Sequence, residues 1–197
     1  MTLWLPLFPL NTVLFPGMRL SLQIFEARYL DMVSRCLRDG AGFGVVSLMA
    51  GAEAPSSASA TVRFAALGCE ARIIDFDQRD NGLLGITVQG VRRFIVRDTE
   101  VNAANLNQAQ VDWLSEEEPL PLQREHTELA AIMQALAEHP SVKALGMPSV
   151  ADSQQALSYA LAYLLPLEQE HKLELLSLNH AAERLARIEE LIAWMQH

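Results

Sequence analysis

Cysteine, lysine and long apolar runs are all scarce in this chain. There are two cysteines, Cys36 and Cys69, and two lysines, Lys143 and Lys172, in 197 residues. Two distant cysteines match no metal-ligand or redox spacing, so both read as small core hydrophobes, with no disulfide framework. The longest apolar stretch, Ala156 to Leu167, is well short of the roughly 20 residues that cross a bilayer, and no basic segment precedes an apolar core at the amino terminus. The reading is a soluble, cytoplasmic protein without membrane contact. Formal net charge is -9, and the few cations do not gather on one face, which weighs against nucleic acid. Arg92 and Arg93, with Arg97 further on, form the one basic cluster. Neighbouring strand residues point to opposite faces, so Arg92 and Arg93 cannot act as one fork and read as solvated or salt-bridged.

Catalytic signatures are missing as well. There is no G-x-x-x-x-G-K-[ST], no H-E-x-x-H and no G-x-S-x-G. Gly40-Ala-Gly-Phe-Gly44 follows a helix and precedes a strand, so it is a stop and a turn with no helix amino terminus to receive a phosphate. Asp75, Asp77 and Asp80 resemble a calcium loop only faintly, since Arg79 stands where the fifth position needs an oxygen ligand. Glu170, His171 and Glu174 lie on a helix where only the two glutamates share a face. His126, His139, His180 and His197 are scattered among polar neighbours. No catalytic residue, metal or cofactor is expected.

Half of the residues are hydrophobic, enough for a chain of this length to bury roughly 70% of its unfolded surface. Leu5 to Tyr29, LPLFPLNTVLFPGMRLSLQIFEARY, is the densest segment. Pro6, Pro9 and Pro16 confine its strands to short, edge or interrupted positions, and Pro16-Gly17 supplies a turn. From Ile24 the period changes to three and four residues, through Phe25, Tyr29, Met32, Val33, Cys36 and Leu37, with Gly40 as the stop. A strand pair therefore runs into an amphipathic helix. Phe43 to Leu48 is a buried strand, Met49 to Thr61 a surface loop, and Cys69 to Phe76 with Leu83 to Gln89 a hairpin about Asn81-Gly82. Phe94 to Val101 and Ala109 to Leu114 are further strands.

The acidic run Glu116 to Glu118 with Pro119 and Pro121 marks a hinge. Helices follow. Leu129, Ile132, Met133 and Leu136 face one way in a helix that ends near His139-Pro140. Asp152 with Gln155 is a capping-box candidate for a helix striped by Leu157, Leu161, Leu164 and Leu165 up to Pro166. Leu173 to Leu178 is a short third helix. Asn179 caps a fourth, whose face is Leu185, Ile188, Ile192 and Met195. The expected fold class is α+β, with a β-rich part at residues 1–118 and a helical part at 119–197.

The order apolar strand, FPG turn, apolar strand and IFEARY helix start resembles the Lon-protease amino-terminal, or LON substrate-binding, domain. LGCEARIIDFDQRDNGLLGITVQGVRRF, Leu67 to Phe94, is similar to that family's central hairpin with its Gly-x-Arg-Arg-Phe-like end. Leu164 to Ile192 resembles its closing helices. One departure is Ala27, where the family often has proline, a favoured first-turn residue. The resemblance implies an amino-terminal PUA-like β pseudo-barrel holding one helix, then a carboxy-terminal helical bundle. It also implies a non-catalytic module that binds unfolded or partner polypeptide, without the ATPase and protease of full-length Lon. The alternative is a PUA-like protein for a small ligand or RNA. Candidate groove residues are Phe15, Pro16, Gly17, Met18, Glu26, Arg28 and Tyr29. For Glu26, Arg28 and Tyr29 a structural role competes, with Glu26 near the helix amino terminus and Arg28 bridging to a strand carboxylate.

Overall fold

The computed structural model describes residues 4–49, 63–78, 83–116, 118–146 and 151–195. The expected 49–61 loop lies outside these residues apart from Met49, as do positions 79–82 of the hairpin turn with Asp80, and residue 117 of the acidic run. Strand β1 (Leu5–Leu10) and strand β2 (Arg19–Ile24) follow one another in sequence but are not hydrogen-bonded neighbours. β1 runs parallel to β3 (Phe43–Leu48), while β2 lies antiparallel to β5 (Leu84–Val101) along its whole length. The separation follows from the turn between them. Gly17 takes φ +78°, its N–H donates to Gly90 O at 2.8 Å, and Gly90 N–H returns to Met18 O at 2.9 Å. The turn is thereby pinned to β5.

β4 (Phe64–Gln78) and β5 are longer than the sequence suggests, because β5 continues through Gly90 where the sequence reads as two strands. That length lets one strand serve two sets of neighbours. Its first half pairs with β2, and its second half with β6 (Asn107–Trp113). The order is β2-β5-β4-β3-β1-β6, and the β5–β6 pairing returns the path β5-β4-β3-β1-β6 to its start.

Helix α1 (Ala27–Asp39) begins at the position of the family's proline and stops at Gly40, whose φ of +63° suits glycine. Tyr29, Met32, Val33 and Cys36 are buried as the period predicts. Phe25 and Leu37 are exposed instead. Phe25 precedes the helix, since Glu26 is still extended, and Leu37 lies about 80° round the helix from Tyr29, on the flank of the stripe.

After a 3-10 turn at Arg124–His126 come α2 (Thr127–Ala137), α3 (Pro140–Lys143), α4 (Gln154–Leu164), α5 (Gln169–Ser177) and α6 (Ala181–Met195). α2 ends before Pro140, but that proline also opens α3, a position where its missing N–H costs nothing. The cap of α4 is Ser153, whose Oγ accepts from Ala156 N at 3.2 Å, and not Asp152. On α6, Leu191 is buried where Met195 was expected, and Met195 is exposed. One hydrophobic cluster takes in Phe15, Met32 and Ile86 from the first part and Leu157, Leu175 and Ile188 from the helices. A smaller one joins Leu5, Leu7, Val46, Phe94 and Ala109. Cys36 and Cys69 are buried free thiols.

Candidate functional site

Phe8 on β1 stacks on Tyr29 of α1 with ring centroids 4.1 Å apart, and Phe43 tilts against this pair, its ring centroid 6.0 Å from that of Phe8. Phe8 and Tyr29 form an aromatic floor, and the extended backbone at Glu26 carries the chain from β2 into α1 beside it. Above the floor is a cavity of about 270 Å³, walled by Phe8 and Leu10 of β1, Leu22 and Ile24 of β2, and Leu48 of β3. Phe25 stands at its rim with 70% of its surface exposed. Apolar carbon dominates the lining, and the charged side chains in it are Glu26 and Arg28.

These two satisfy each other. Arg28 Nε donates to Glu26 Oε2 at 2.8 Å, its Nη2 lies 2.7 Å from the same oxygen, and Nη1 donates to Asn105 O at 2.9 Å. The bridge to a strand carboxylate expected for Arg28 is therefore absent, because Glu26 is nearer. Asn105 presents its carbonyl from the β5–β6 connection with φ +58°. The guanidinium also lies 4.7 Å from the Tyr29 ring centre, and burial pushes the Tyr29 hydroxyl up from its ordinary pKa. The cavity thus has an apolar interior and a rim pair with no net charge.

Glu26, Arg28 and Tyr29 all line this cavity. Phe15, Pro16, Gly17 and Met18 do not. Phe15 is fully buried 6.0 Å from the Tyr159 ring, Met18 is buried in the same core, and the Pro16-Gly17 turn rests on β5. Sequence reading missed Phe8, Leu10, Leu22, Phe25 and Leu48. Phe25 carried a usable signal, since an apolar residue two positions before the helix start, ahead of the cap at Glu26, falls outside the helical period.

The basic cluster is consumed by ion pairs. Arg92 Nε donates to Glu70 at 2.7 Å while its guanidinium covers Trp113 at 3.6 Å, and Arg97 pairs with Asp112 at 2.6 Å. Arg93 is salt-bridged as expected, yet it is wholly buried, with no solvated part. Glu174 is engaged by Arg187 at 2.8 Å and holds its carboxyl below the usual range through that bond; His171 lies 3.5 Å away. Among the described residues, no three potential ligands stand close enough to hold a metal ion, and no helix is long and apolar enough to cross a membrane.

The family model described as the ATP-dependent protease La (LON) substrate-binding domain matches residues 4–193. A Lon N-terminal domain protein from Xanthomonas campestris, known from its crystal structure, superposes with a TM-score of 0.74 at 35% identity, covering 98% of each chain. The N-terminal domain of the Mycobacterium avium complex Lon protease superposes with a TM-score of 0.63 at 17% identity, again over 98% of each chain, a likeness of fold. No curated protein matches the chain.

Proposed function

From the premise that this chain belongs to the LON substrate-binding domain family, we propose that it is a non-catalytic, cytoplasmic module that recognises apolar segments of unfolded or partner polypeptide. The observation that carries the reading is Phe25. A large aromatic ring held 70% in water at the mouth of an apolar cavity is more surface than a stable fold needs to expose there, and a polypeptide side chain entering the cavity would cover it. Glu26, Arg28 and Tyr29 shape the mouth. Phe15, Pro16, Gly17 and Met18 act one layer down, by setting where β2 leaves the turn.

The same reading covers the architecture. The closed pairing path supports a pseudo-barrel built on β5-β4-β3-β1-β6, with β2 and α1 attached, and the helices from α2 onward form a bundle against it. The division at residues 1–118 and 119–197 is one of secondary structure, with a core shared across it. A second reading, a small apolar ligand as in other PUA-like proteins, is favoured by the cavity volume of about 270 Å³, just under the usual range for such sites. RNA is disfavoured because Arg92, Arg93 and Arg97 are already paired.

Fluorescence anisotropy tests the proposal with a labelled unfolded polypeptide and a labelled single-stranded RNA, each at low and physiological salt. Saturable polypeptide binding that survives salt is the expected result. RNA binding that weakens with salt would overturn it.

A further inference from the structure

Among the described residues, five strands present some edge that no other strand covers. β5 beyond Ile95 and β6 beyond Ala109 pair only with each other, and their register shifts between Val96 and Asp98, where the Thr99 N–H is taken by Asp98 Oδ1 at 2.8 Å. β1 pairs with β6 only at Leu5 and Pro6, leaving its outer side open beyond them, but Pro9 lies there and has no N–H to offer. β4 is uncovered past Ala71, where its pairing with β3 ends. That edge is bent by a register shift between Ile73 and Asp75, and the Phe76 N–H is already taken by Asp75 Oδ1 at 2.9 Å. β2 has neither a proline nor a bulge, and among the described residues β5 is its one strand neighbour.

The register of β2 shows which of its backbone groups look outward. Gly90 N–H donates to Met18 O, while Gly90 O accepts from Gly17 N–H and Met18 N–H turns back to Phe15 O. The bond at Met18 O sets the phase, and alternation along the register makes Leu20, Leu22 and Ile24 the next residues bonded to β5. The N–H and C=O groups of Arg19, Ser21 and Gln23 then point away from β5. One hydrogen bond checks this independently: Tyr163 Oη donates to Arg19 O at 2.8 Å from the far side. Ser21 and Gln23 are exposed, and Gln23 lines the cavity itself, so there is room along this edge.

We propose that the polypeptide binds as an added β-strand, pairing its backbone with Ser21 and Gln23 on the free edge of β2 and placing an uncharged apolar side chain in the Phe8–Leu22–Tyr29 cavity. This rests on the peptide-binding reading above and specifies how that peptide is held. Charge selects the occupant. Glu26 and Arg28 neutralise each other, so the cavity offers no counter-charge, and an ionised side chain there would lose its hydration against Phe8 and Leu22 without repayment. Strand geometry then asks for apolar residues at alternate positions, with the intervening side chains in solvent.

The test uses a fluorescein-labelled nonapeptide alternating leucine with threonine, and two versions N-methylated on alternate amides, one on the leucines and one on the threonines. Anisotropy titrations of the whole protein should show one methylated peptide binding about tenfold more weakly than the parent and the other nearly unchanged. Ser21→Pro removes an outward N–H and leaves the β5 ladder intact, so it should weaken the parent peptide by a similar factor with an unaltered thermal melt. Should Ser21→Pro fail to fold, the methylated pair still decides the matter on the native protein. Equal binding of all three peptides, with loss on Leu22→Asp, would mean side-chain capture alone; strand addition falls and peptide recognition stands. No binding of the parent peptide together with none of the unfolded polypeptide would overturn both.

Discussion

Arg93 Nε lies 2.9 Å from Glu116 Oε1, joining the middle of β5 to the segment that leads into the helices. The guanidinium is fully buried, and it also donates to Leu176 O at 2.9 Å and Leu178 O at 2.8 Å. These are carbonyls at the end of α5, which has no glycine cap to turn them inward. Arg184 meets the same helix end from α6, through Leu175 O at 3.1 Å and through Leu178 O, and lies 4.1 Å from the Tyr159 ring centre. Tyr159 Oη in turn donates to Glu116 at 2.7 Å. Two arginines therefore do the work of a helix cap and tie sheet to helices.

Arg93→Ala should cost about 3–5 kcal/mol, because it removes the guanidinium that balances the Glu116 carboxylate and takes the donor from the buried Leu176 carbonyl, while Leu178 O keeps Arg184 and Glu116 keeps Tyr159. Urea unfolding reads this directly. Arg93→Lys should recover little, since an ammonium cannot fork to three acceptors. The double variant Arg93→Met, Glu116→Gln should cost less than the sum of the single changes. Additive losses would show that the pair contributes nothing as a pair.

Gly17 and Gly90 face each other across the turn and should respond differently to alanine. At Gly17 a Cβ meets nothing within 4 Å, so only the φ of +78° is penalised, by about 1 kcal/mol. At Gly90 a Cβ would come within 2.2 Å of Phe15 O, a backbone atom that cannot step aside without moving the turn. Gly90→Ala should therefore cost about 3 kcal/mol or more. Comparing the two unfolding midpoints separates conformational from steric demand.

The first helix and the buried strand at Phe43 were legible because each rests on a local rule: a period, and a run of apolar residues. Groove residues were only partly legible. Phe15 and Met18 look like rim residues in sequence, since they flank an exposed turn, and nothing local reveals that Gly90 lets β5 close over them. Phe8 and Leu48 come to line one cavity through the parallel β1–β3 pairing, which brings together residues forty apart that no window of sequence contains. The burial of Arg93 is of the same kind, decided by carbonyls more than eighty residues away.

Stability should fall above pH 9. Burial pushes the thiols of Cys69 and Cys36 and the hydroxyls of Tyr29, Tyr159 and Tyr163 up from their ordinary values. Each then keeps its proton in the folded state at a pH where the unfolded chain has released it, so folding weakens as pH rises past the unfolded value. Lys172 acts the other way. Burial lowers its pKa, and its contribution rises with pH in the window below 10.5. Five groups oppose one. For the fully buried Cys69 the slope approaches about 1.4 kcal/mol per pH unit above 9. Urea midpoints at pH 8 and pH 10 should differ accordingly, and Cys69→Ala should flatten the difference; a midpoint unchanged between the two would contradict the burial of these groups.

Phe25 and Trp194 provide a matched pair for the binding site. Their exposures are 70% and 69%, so truncating either to alanine should leave stability within about 0.5 kcal/mol. They differ in surroundings, because Phe25 adjoins the apolar cavity whereas Trp194 lies near the end of α6 with its ring 6.4 Å from His171. If the cavity recognises apolar polypeptide, Phe25→Ala should weaken anisotropy-monitored binding about fivefold, near 1 kcal/mol, and Trp194→Ala should change it little. Equal losses from both variants would mean that any exposed aromatic attracts the probe, and the cavity would lose its claim to be the site. Leu22→Asp strengthens the test from inside: a carboxylate on the cavity wall should repel an apolar side chain that Phe25→Ala merely leaves less covered.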